Sequence, residues 1–237
     1  MKRIALLSLI ALLVASVCSA GWFNNSVKGS GDIITVERDV SMFDSIVLKG
    51  SPDVYINVGP NLTVTVTADD NVVDLIKTES RNSELVIEIE KSIRTKKTPR
   101  IDITVPYLEK ALVNGSGDIF IQNFDAETME LNVNGSGDIK AEGNCKTLEV
   151  AVNGSGDIAC KGNSKTVYAN VNGSGDLKLK KFMAEDVNAE VNGSGDINIF
   201  ANKSFKGFVS GSGDIRCYGD PEFRKNKVKG SGDIDFR

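Results

Sequence analysis

The sequence predicts an all-β protein, a flattened right-handed parallel β-helix with about 19–20 residues per turn of the coil. Three observations predict it. The tetrapeptide Gly-Ser-Gly-Asp occurs eight times, its last seven copies are spaced 18–20 residues apart, and apolar residues alternate on both sides of each copy. Such a fixed period is typical of stacked units that each contact only their neighbours. We call one such unit a rung.

The first twenty residues have the composition of a signal peptide. Lys2 and Arg3 precede an apolar or small run from Ile4 to Val17, and Cys18-Ser19-Ala20 supplies the small residues that signal peptidase prefers. We therefore expect residues 1–20 to be removed, leaving no transmembrane segment, and the protein to reach the periplasm, the outer-membrane surface or the extracellular space. Two alternatives stay open: an uncleaved membrane anchor, and lipidation of Cys18.

For residues 21–113 the sequence predicts a β region that is less regular than the repeats. Alternating apolar residues indicate strands at 64–66, 85–89 and 101–105, and the apolar spacing from Asp70 to Ser80 predicts a short helix. The basic stretch 91–100 is expected to be a solvated loop. The pattern is compatible with loose rungs that carry insertions, or with a β cap over the end of the stack.

Residues 114–237 carry the regular repeats and are expected to continue the same domain. Alternate residues are apolar before each motif, as in Met129, Leu131 and Val133, and after it, as in Ile119 and Ile121. Period two indicates short strands with one buried face, and Gly-Ser-Gly permits the positive φ of a tight reversal. Stacked rungs would form two parallel sheets facing each other, and parallel crossovers are right-handed.

The composition excludes several classes of function. The 237 residues carry a net charge of −4 and contain no histidine. Catalysis by Ser-His-Asp or Cys-His groups and imidazole metal sites are therefore excluded. The acidic balance argues against nucleic acid as a partner, because neutralising phosphates needs clustered lysine and arginine.

The repeated aspartate is the most distinctive chemical feature. Rungs lie about 4.8 Å apart, so the carboxylates would form a repelling column. Hydrogen bonds from each aspartate's own glycine turn would offset the repulsion, which is the interpretation we favour over cofactor binding. The alternative is a calcium ladder, although calcium β-rolls place the aspartate differently and repeat every nine residues. The ladder would use Asp118, Asp138, Asp157, Asp176, Asp196, Asp214 and Asp233.

No catalytic residue is assigned. Carboxylates about 5 Å apart match a retaining glycosidase, but catalysis needs two different environments, and a ladder repeats one environment. Asparagine precedes the motif in five successive rungs and is expected to form a hydrogen-bonded amide ladder. The outward residues of the same strands form a mixed polar strip without an aromatic platform. These two sets are Asn114, Asn134, Asn153, Asn172 and Asn192, and Glu130, Glu149, Tyr168, Asn188 and Lys206.

The cysteines of the mature chain are expected to stay reduced. Cys160 and Cys217 lie in one inward column but three rungs apart, about 14 Å, which no disulfide can bridge. Cys145 is displaced along the coil from both. Basic residues crowd the last repeat, so we expect a monomer or a weak homo-oligomer. These residues are Arg224, Lys225, Lys227 and Lys229.

Several segments together resemble the family of auto-transporter adhesins with a head GIN domain. They are Phe43–Gly50, Asp53–Ile56, Ile103–Pro106 and the recurrent Gly-Ser-Gly-Asp-Ile. The resemblance implies an exported right-handed β-helix like that of pectin-lyase-like proteins, without an established catalytic site, and an adhesion role. The sequence ends at Arg237 without the alternating strands of a membrane barrel, so self-translocation is not expected.

The leading hypothesis is a non-enzymatic exported envelope or surface protein that binds like an adhesin, with a surface glycan or a protein as partner. One alternative is a structural envelope module that self-associates or scaffolds partners. The other is a carbohydrate-active β-helix enzyme.

Overall fold

The computed structural model describes residues 26–237, so the expected signal peptide lies outside the described residues. The chain forms a β-solenoid of about seven turns. Its strands are β1 (Val27–Lys28), β2 (Ile33–Glu37), β3 (Ser45–Gly50), β4 (Asp53–Val58), β5 (Thr63–Asp69), β6 (Ile76–Arg81), β7 (Glu84–Ile89), β8 (Ile93–Arg94), β9 (Arg100–Val105), β10 (Lys110–Gly115), β11 (Ile119–Gly135), β12 (Ile139–Gly154), β13 (Ile158–Gly173), β14 (Leu177–Gly193), β15 (Ile197–Phe200), β16 (Ser204–Gly211), β17 (Ile215–Tyr218), β18 (Phe223–Gly230) and β19 (Ile234–Phe236).

The repeats stack in parallel with a register of one repeat, which confirms the predicted β-helix. Ile119 pairs with Ile139, and Ile139 pairs with Ile158. The apolar residues that alternate around each motif are buried, so they form the core between the sheets. We call the outward side of the strands after each motif the post-motif face, and that of the strands before it the pre-motif face.

From β11 to β14, the chain between one motif and the next is one continuous strand rather than two short strands, whereas the last two such stretches are each divided into two strands. β11 runs for 17 residues from one motif to the next. Its burial alternation changes phase where two exposed residues follow each other, at Gln122–Asn123 and again at Glu127–Thr128. These phase changes mark corners of the coil, and Asn123 has φ 62° at the first of them. Parallel pairing with β12 continues on both sides of each corner, with a β-bulge at Asn123.

The less regular region supplies two further parallel layers, β3–β4 and β7–β9, and antiparallel strands that cap them. β3 and β4 stack directly against β10 and β11, so the degenerate motif Gly50–Asp53 lies in register with Gly115–Asp118. On their other side β3 and β4 pair in parallel with β7 and β9. Beyond these, β6 pairs with β7, β5 with β9 and β2 with β5, all antiparallel. Both sequence-based alternatives for this region are therefore partly realised.

The helix expected from Asp70 to Ser80 is wrong. A single 3-10 turn at Val73–Leu75 leads directly into β6. The helix-like spacing arises because Val72 and Val73 are buried by the turn and Ile76 by the strand that follows. These β-branched residues favour extended structure once a neighbouring strand is available, and β7 supplies it. Within residues 26–237, the structure contains no helix of the length and apolarity that a membrane crossing requires.

Candidate functional site

A column of outward side chains runs along the post-motif face, two residues after each motif aspartate. Parallel pairing sets its order along the coil axis as Tyr55, Phe120, Lys140, Ala159, Lys178, Asn198 and Arg216. Because the register repeats with every rung, each of these side chains lies beside the next along the axis. The column therefore brings together residues that are far apart in the sequence.

Its aromatic end is a continuous stack of four side chains. The ring centroids of Tyr55 and Phe120 are 4.6 Å apart with planes 11° from parallel. The guanidinium carbon of Arg100 lies 3.8 Å from the Tyr55 centroid, and Nζ of Lys140 lies 5.2 Å from the Phe120 centroid. Since neighbours cover both faces of each ring, the stack presents ring edges to solvent. It is a rigid wall rather than a platform on which a sugar ring could stack.

A groove opens next to this wall because Ala159 is the smallest member of the column. Its volume is about 440 Å³, and Phe120, Ala141 and Ala159 contribute to its lining. In the two adjacent rungs, Ala159 is flanked by Lys140 and Lys178. In total, five lysines line the groove: Lys140, Lys161, Lys178, Lys180 and Lys181.

The lysines of the groove differ in how their charge is compensated. Lys178 pairs with Asp157, and this hydrogen bond raises the pKa of the ammonium. Nζ of Lys161 lies 3.6 Å from a carboxylate oxygen of Glu142. The ammonium groups of Lys140 and Lys180 lie over the rings of Phe120 and Tyr218. Among residues 26–237, Lys140, Lys180 and Lys181 make no ion pair, so the groove keeps unneutralised positive charge.

The aspartate column borders this groove, and its hydrogen bonds differ from those expected. Each carboxylate accepts a bond from the backbone N–H of the aspartate in the next rung, as from Asp138 to Oδ1 of Asp118 at 2.9 Å. The same bond recurs up to Asp233, at 2.8–3.0 Å. The prediction that each aspartate accepts hydrogen bonds from its own glycine turn is therefore wrong for the motif aspartates from Asp118 to Asp214. At Asp233 the donor is local, Ile234. The column joins rungs to each other.

Cations offset part of the repulsion along this column. Arg216 bridges Asp196 at 3.0 Å and Asp214 at 2.8 Å, and Lys178 pairs with Asp157. With Oδ1 committed to an amide, each rung has one carboxylate oxygen left for a cation. Calcium needs six to eight oxygen ligands, so the aspartates Asp118 to Asp233 fit the calcium alternative poorly. Within the described residues, no cluster of three potential metal-ligating acids or cysteines occurs.

The pre-motif face carries the predicted amide ladder. Nδ2 of Asn134 donates to Oδ1 of Asn114 at 2.9 Å, and the bond repeats through Asn153 and Asn172 to Asn192. The mixed polar strip also lies in one register, from Glu130 to Lys206. The aromatic wall was missed because Tyr55 and Phe120 meet only after the chain has inserted residues 59–109 between their rungs.

The cysteines of the described chain are free and buried, as predicted. Cys160 and Cys217 lie in the inward column with Ile121 and Ile199. Burial raises the pKa of Cys145 to about 12 and that of Cys217 to about 11, and it raises the pKa of Cys160 as well. The thiols therefore act as small core hydrophobes rather than nucleophiles.

The fold and surface define a class of protein: a parallel β-solenoid with an antiparallel cap and repeat-encoded polar faces. The family model described as "Putative auto-transporter adhesin, head GIN domain" matches residues 42–221, and the chain belongs to this family. The resemblance in the sequence is thereby confirmed. No curated protein matches the sequence.

Solved structures share this architecture along their whole length. A "putative adhesin" from Bacteroides fragilis is 25% identical, with a TM-score of 0.82 over 90% of this chain and 100% of its own. A "Putative lipid binding protein" from Parabacteroides distasonis is 25% identical, with a TM-score of 0.74 over 90% and 99% of the two chains. Another "putative adhesin" from that species, 22% identical with a TM-score of 0.71 over 90% and 100%, shares the fold.

Proposed function

We propose that the protein is an exported, non-enzymatic component of the cell envelope or cell surface that acts as an adhesin. Its partner would be a surface glycan or a protein, held on the outer faces of the solenoid. The observation that carries the proposal is the match of the whole solenoid to the "putative adhesin" structure from Bacteroides fragilis, at 25% identity.

The construction of the faces supports a binding role. Backbone groups within a rung are paired with the rungs on either side, so outward side chains project from a rigid support. Rigid support reduces the ordering cost of binding, because few backbone torsions must be fixed when a partner docks. The post-motif face then offers a partner both a groove and a cluster of unneutralised ammonium groups.

The aspartate column supports the non-enzymatic part of the proposal. General acid–base catalysis by two carboxylates needs environments that separate their pKa values. Along the column the carboxylates instead repeat one arrangement, each bonded to the amide of the next aspartate. The buried thiols have raised pKa values and no access to a substrate.

The test combines localisation with adhesion. The full chain, expressed in a Gram-negative host with its own leader, should appear outside the cytoplasm by fractionation. Purified protein on beads should adhere to a glycan or cell surface, and excess soluble protein should compete. It should release no reducing ends from polysaccharides. Retention in the cytoplasm, or adhesion equal to that of beads coated with an unrelated acidic protein, would overturn the proposal.

A further inference from the structure

We infer that the groove around Ala159 is a binding site for the anionic groups of an acidic polysaccharide. This inference rests on the proposed adhesin role and names the ligand class for one face. It is carried by five lysines that converge on one groove of a chain whose net charge is −4. In such a chain, five lysines on one groove are a local excess of positive charge.

The geometry suits a carboxylate or sulfate group. Ala159 lies between Lys140 and Lys178 in neighbouring rungs, about 10 Å apart across two rung spacings. An anionic group over the Ala159 methyl could be met from one side by Lys140, when its ammonium leaves the Phe120 ring, and from the other side by Lys178, when its ammonium leaves Asp157. Lys161, on the same strand, and Lys181 add charge from the flank. Each lysine is a compact point charge on a flexible four-carbon stem, so its ammonium can move to meet an anionic group.

A polymer suits this face better than a single small anion. Exposed ammonium–carboxylate pairs each contribute little, so useful affinity needs several anionic groups on one ligand. The cationic side chains without ion pairs lie on both sides of the Ala159 rung, and the ammonium groups of Lys140 and Lys180 lie over Phe120 and Tyr218, which extends the line of charge along the axis. A linear chain with a charge on successive sugars can follow that line, with the Tyr55–Phe120 wall as its limit on one side.

An anionic membrane suits the face less well. The aspartate column lies two residues before the outward column, just ahead of the strands, and a bilayer broad enough to cover the lysines would also meet Asp157 and Asp176. The Phe120 ring is covered by Tyr55 and Lys140, so it is not free to insert among lipids. A narrow ligand avoids both costs, because it can contact the groove alone.

The test compares two matched triple variants of the full protein. One changes Lys140, Lys180 and Lys181 to glutamine, which removes the three ammonium groups of the groove that make no ion pair. The control changes Lys206, Lys225 and Lys227 to glutamine, which removes the same charge from the pre-motif groove. The probes are polygalacturonate, neutral dextran and phosphatidylglycerol vesicles, each in 50 mM and 300 mM NaCl.

We expect the wild type to bind polygalacturonate at low salt, to bind it weakly at high salt and to ignore dextran. The groove variant should bind about tenfold more weakly, and the control variant should stay within about twofold of the wild type. Equal losses in both variants, no binding to polygalacturonate, or binding only to vesicles would overturn the inference. If beads still adhere to cells while polygalacturonate does not bind, the inference fails and the adhesin role stands.

A single substitution gives an independent check. Ala159→Glu places a carboxylate between Lys140 and Lys178, where cross-strand opposite charges stabilise a sheet. The variant should be at least as stable as the wild type while losing polygalacturonate binding. Unchanged binding by this folded variant would also overturn the inference.

Discussion

At the scale of single residues, the two glycines of each motif serve different purposes. The first, such as Gly154 with φ 142°, takes up a backbone conformation that side chains disfavour. The second, such as Gly156, has no positive φ, but a Cβ there would lie 2.0 Å from the carbonyl oxygen of Gly137 in the previous rung. The degenerate copy has Pro52 at this position, and the chain that joins β7 to β9 in the adjacent layer contains no Gly-Ser-Gly turn.

Replacing this second glycine should therefore be costly. We expect Gly156→Ala to destabilise the protein by about 2–3 kcal/mol, because the rung must move away from Gly137 to admit a methyl group. Thermal unfolding should show the melting temperature falling by about 5–10 °C. Ser155→Ala is the matched control, since its side chain is exposed and already has a Cβ. An unchanged melting temperature for Gly156→Ala would show that the rungs are not held this closely.

Asp53 should make stability depend on pH. Partial burial and the neighbouring charge of Asp118 raise the pKa of Asp53 above its usual 3.8. A carboxyl with a raised folded-state pKa destabilises the fold where it must ionise, above that pKa, and costs nothing where both states are protonated. Asp53→Asn should therefore raise the melting temperature at pH 7 by about 1–2 °C and leave it unchanged well below pH 3.8.

The control for this prediction is Asp39→Asn, which makes the same charge change at an exposed position. It should leave the melting temperature unchanged at both pH values. A gain for Asp53→Asn that persisted at low pH would show that its source is packing rather than ionisation.

At the scale of elements, period-two alternation predicted most strands of the repeats because each rung before the last one buries one face. The same reasoning failed where burial has another cause. From Val72 to Ile76 a 3-10 turn and a strand together imitate helical spacing. Corners were also missed: Phe124 and Phe182 fill one corner column, where Gly143 and Gly162 lie between them. A Cβ on Gly143 would lie 2.6 Å from the Phe124 ring, a packing relation that no local pattern shows.

The aromatic wall should couple the capping region to the repeats energetically. Tyr55 belongs to β4 and Phe120 to β11, so their stacking joins strands 65 residues apart in the sequence. In a double-mutant cycle, Tyr55→Ala and Phe120→Ala should show a coupling of about 0.5–1.5 kcal/mol in denaturant unfolding. Tyr55→Ala with Phe208→Ala, on the opposite face, should be additive. Additivity in the first pair would mean that the rings are neighbours without an energetic link.

At the scale of the whole molecule, the order of rungs in space differs from their order along the chain. β3 and β4 form an inner rung, β7 and β9 lie outside them, and the chain then returns to β10 on the inner side. A sequence period cannot reveal this, because residues 59–109 contain no copy of the motif. The candidate groove could not be predicted from the sequence either. Its lysines are scattered along the chain, and their position around Ala159 depends on the register of three rungs.

A stack in which each rung contacts only its neighbours should open unevenly, and the three buried thiols can report this. At pH 8 their raised pKa values leave almost no thiolate, so iodoacetamide should label them only when a rung opens. Along β18 every residue is exposed, and its rung directly follows that of Cys217. Cys145 and Cys160 lie in the middle of the stack.

Timed labelling at low denaturant, mapped by peptide mass spectrometry, should therefore modify Cys217 well before Cys145 and Cys160. Labelling in 6 M guanidinium is the control, because all three thiols should then react at similar rates. Equal rates under native conditions would mean that the solenoid opens as one cooperative unit. Faster labelling of Cys160 would contradict the assignment of the central rungs as the most stable part, since that thiol could be reached only by opening the stack from within.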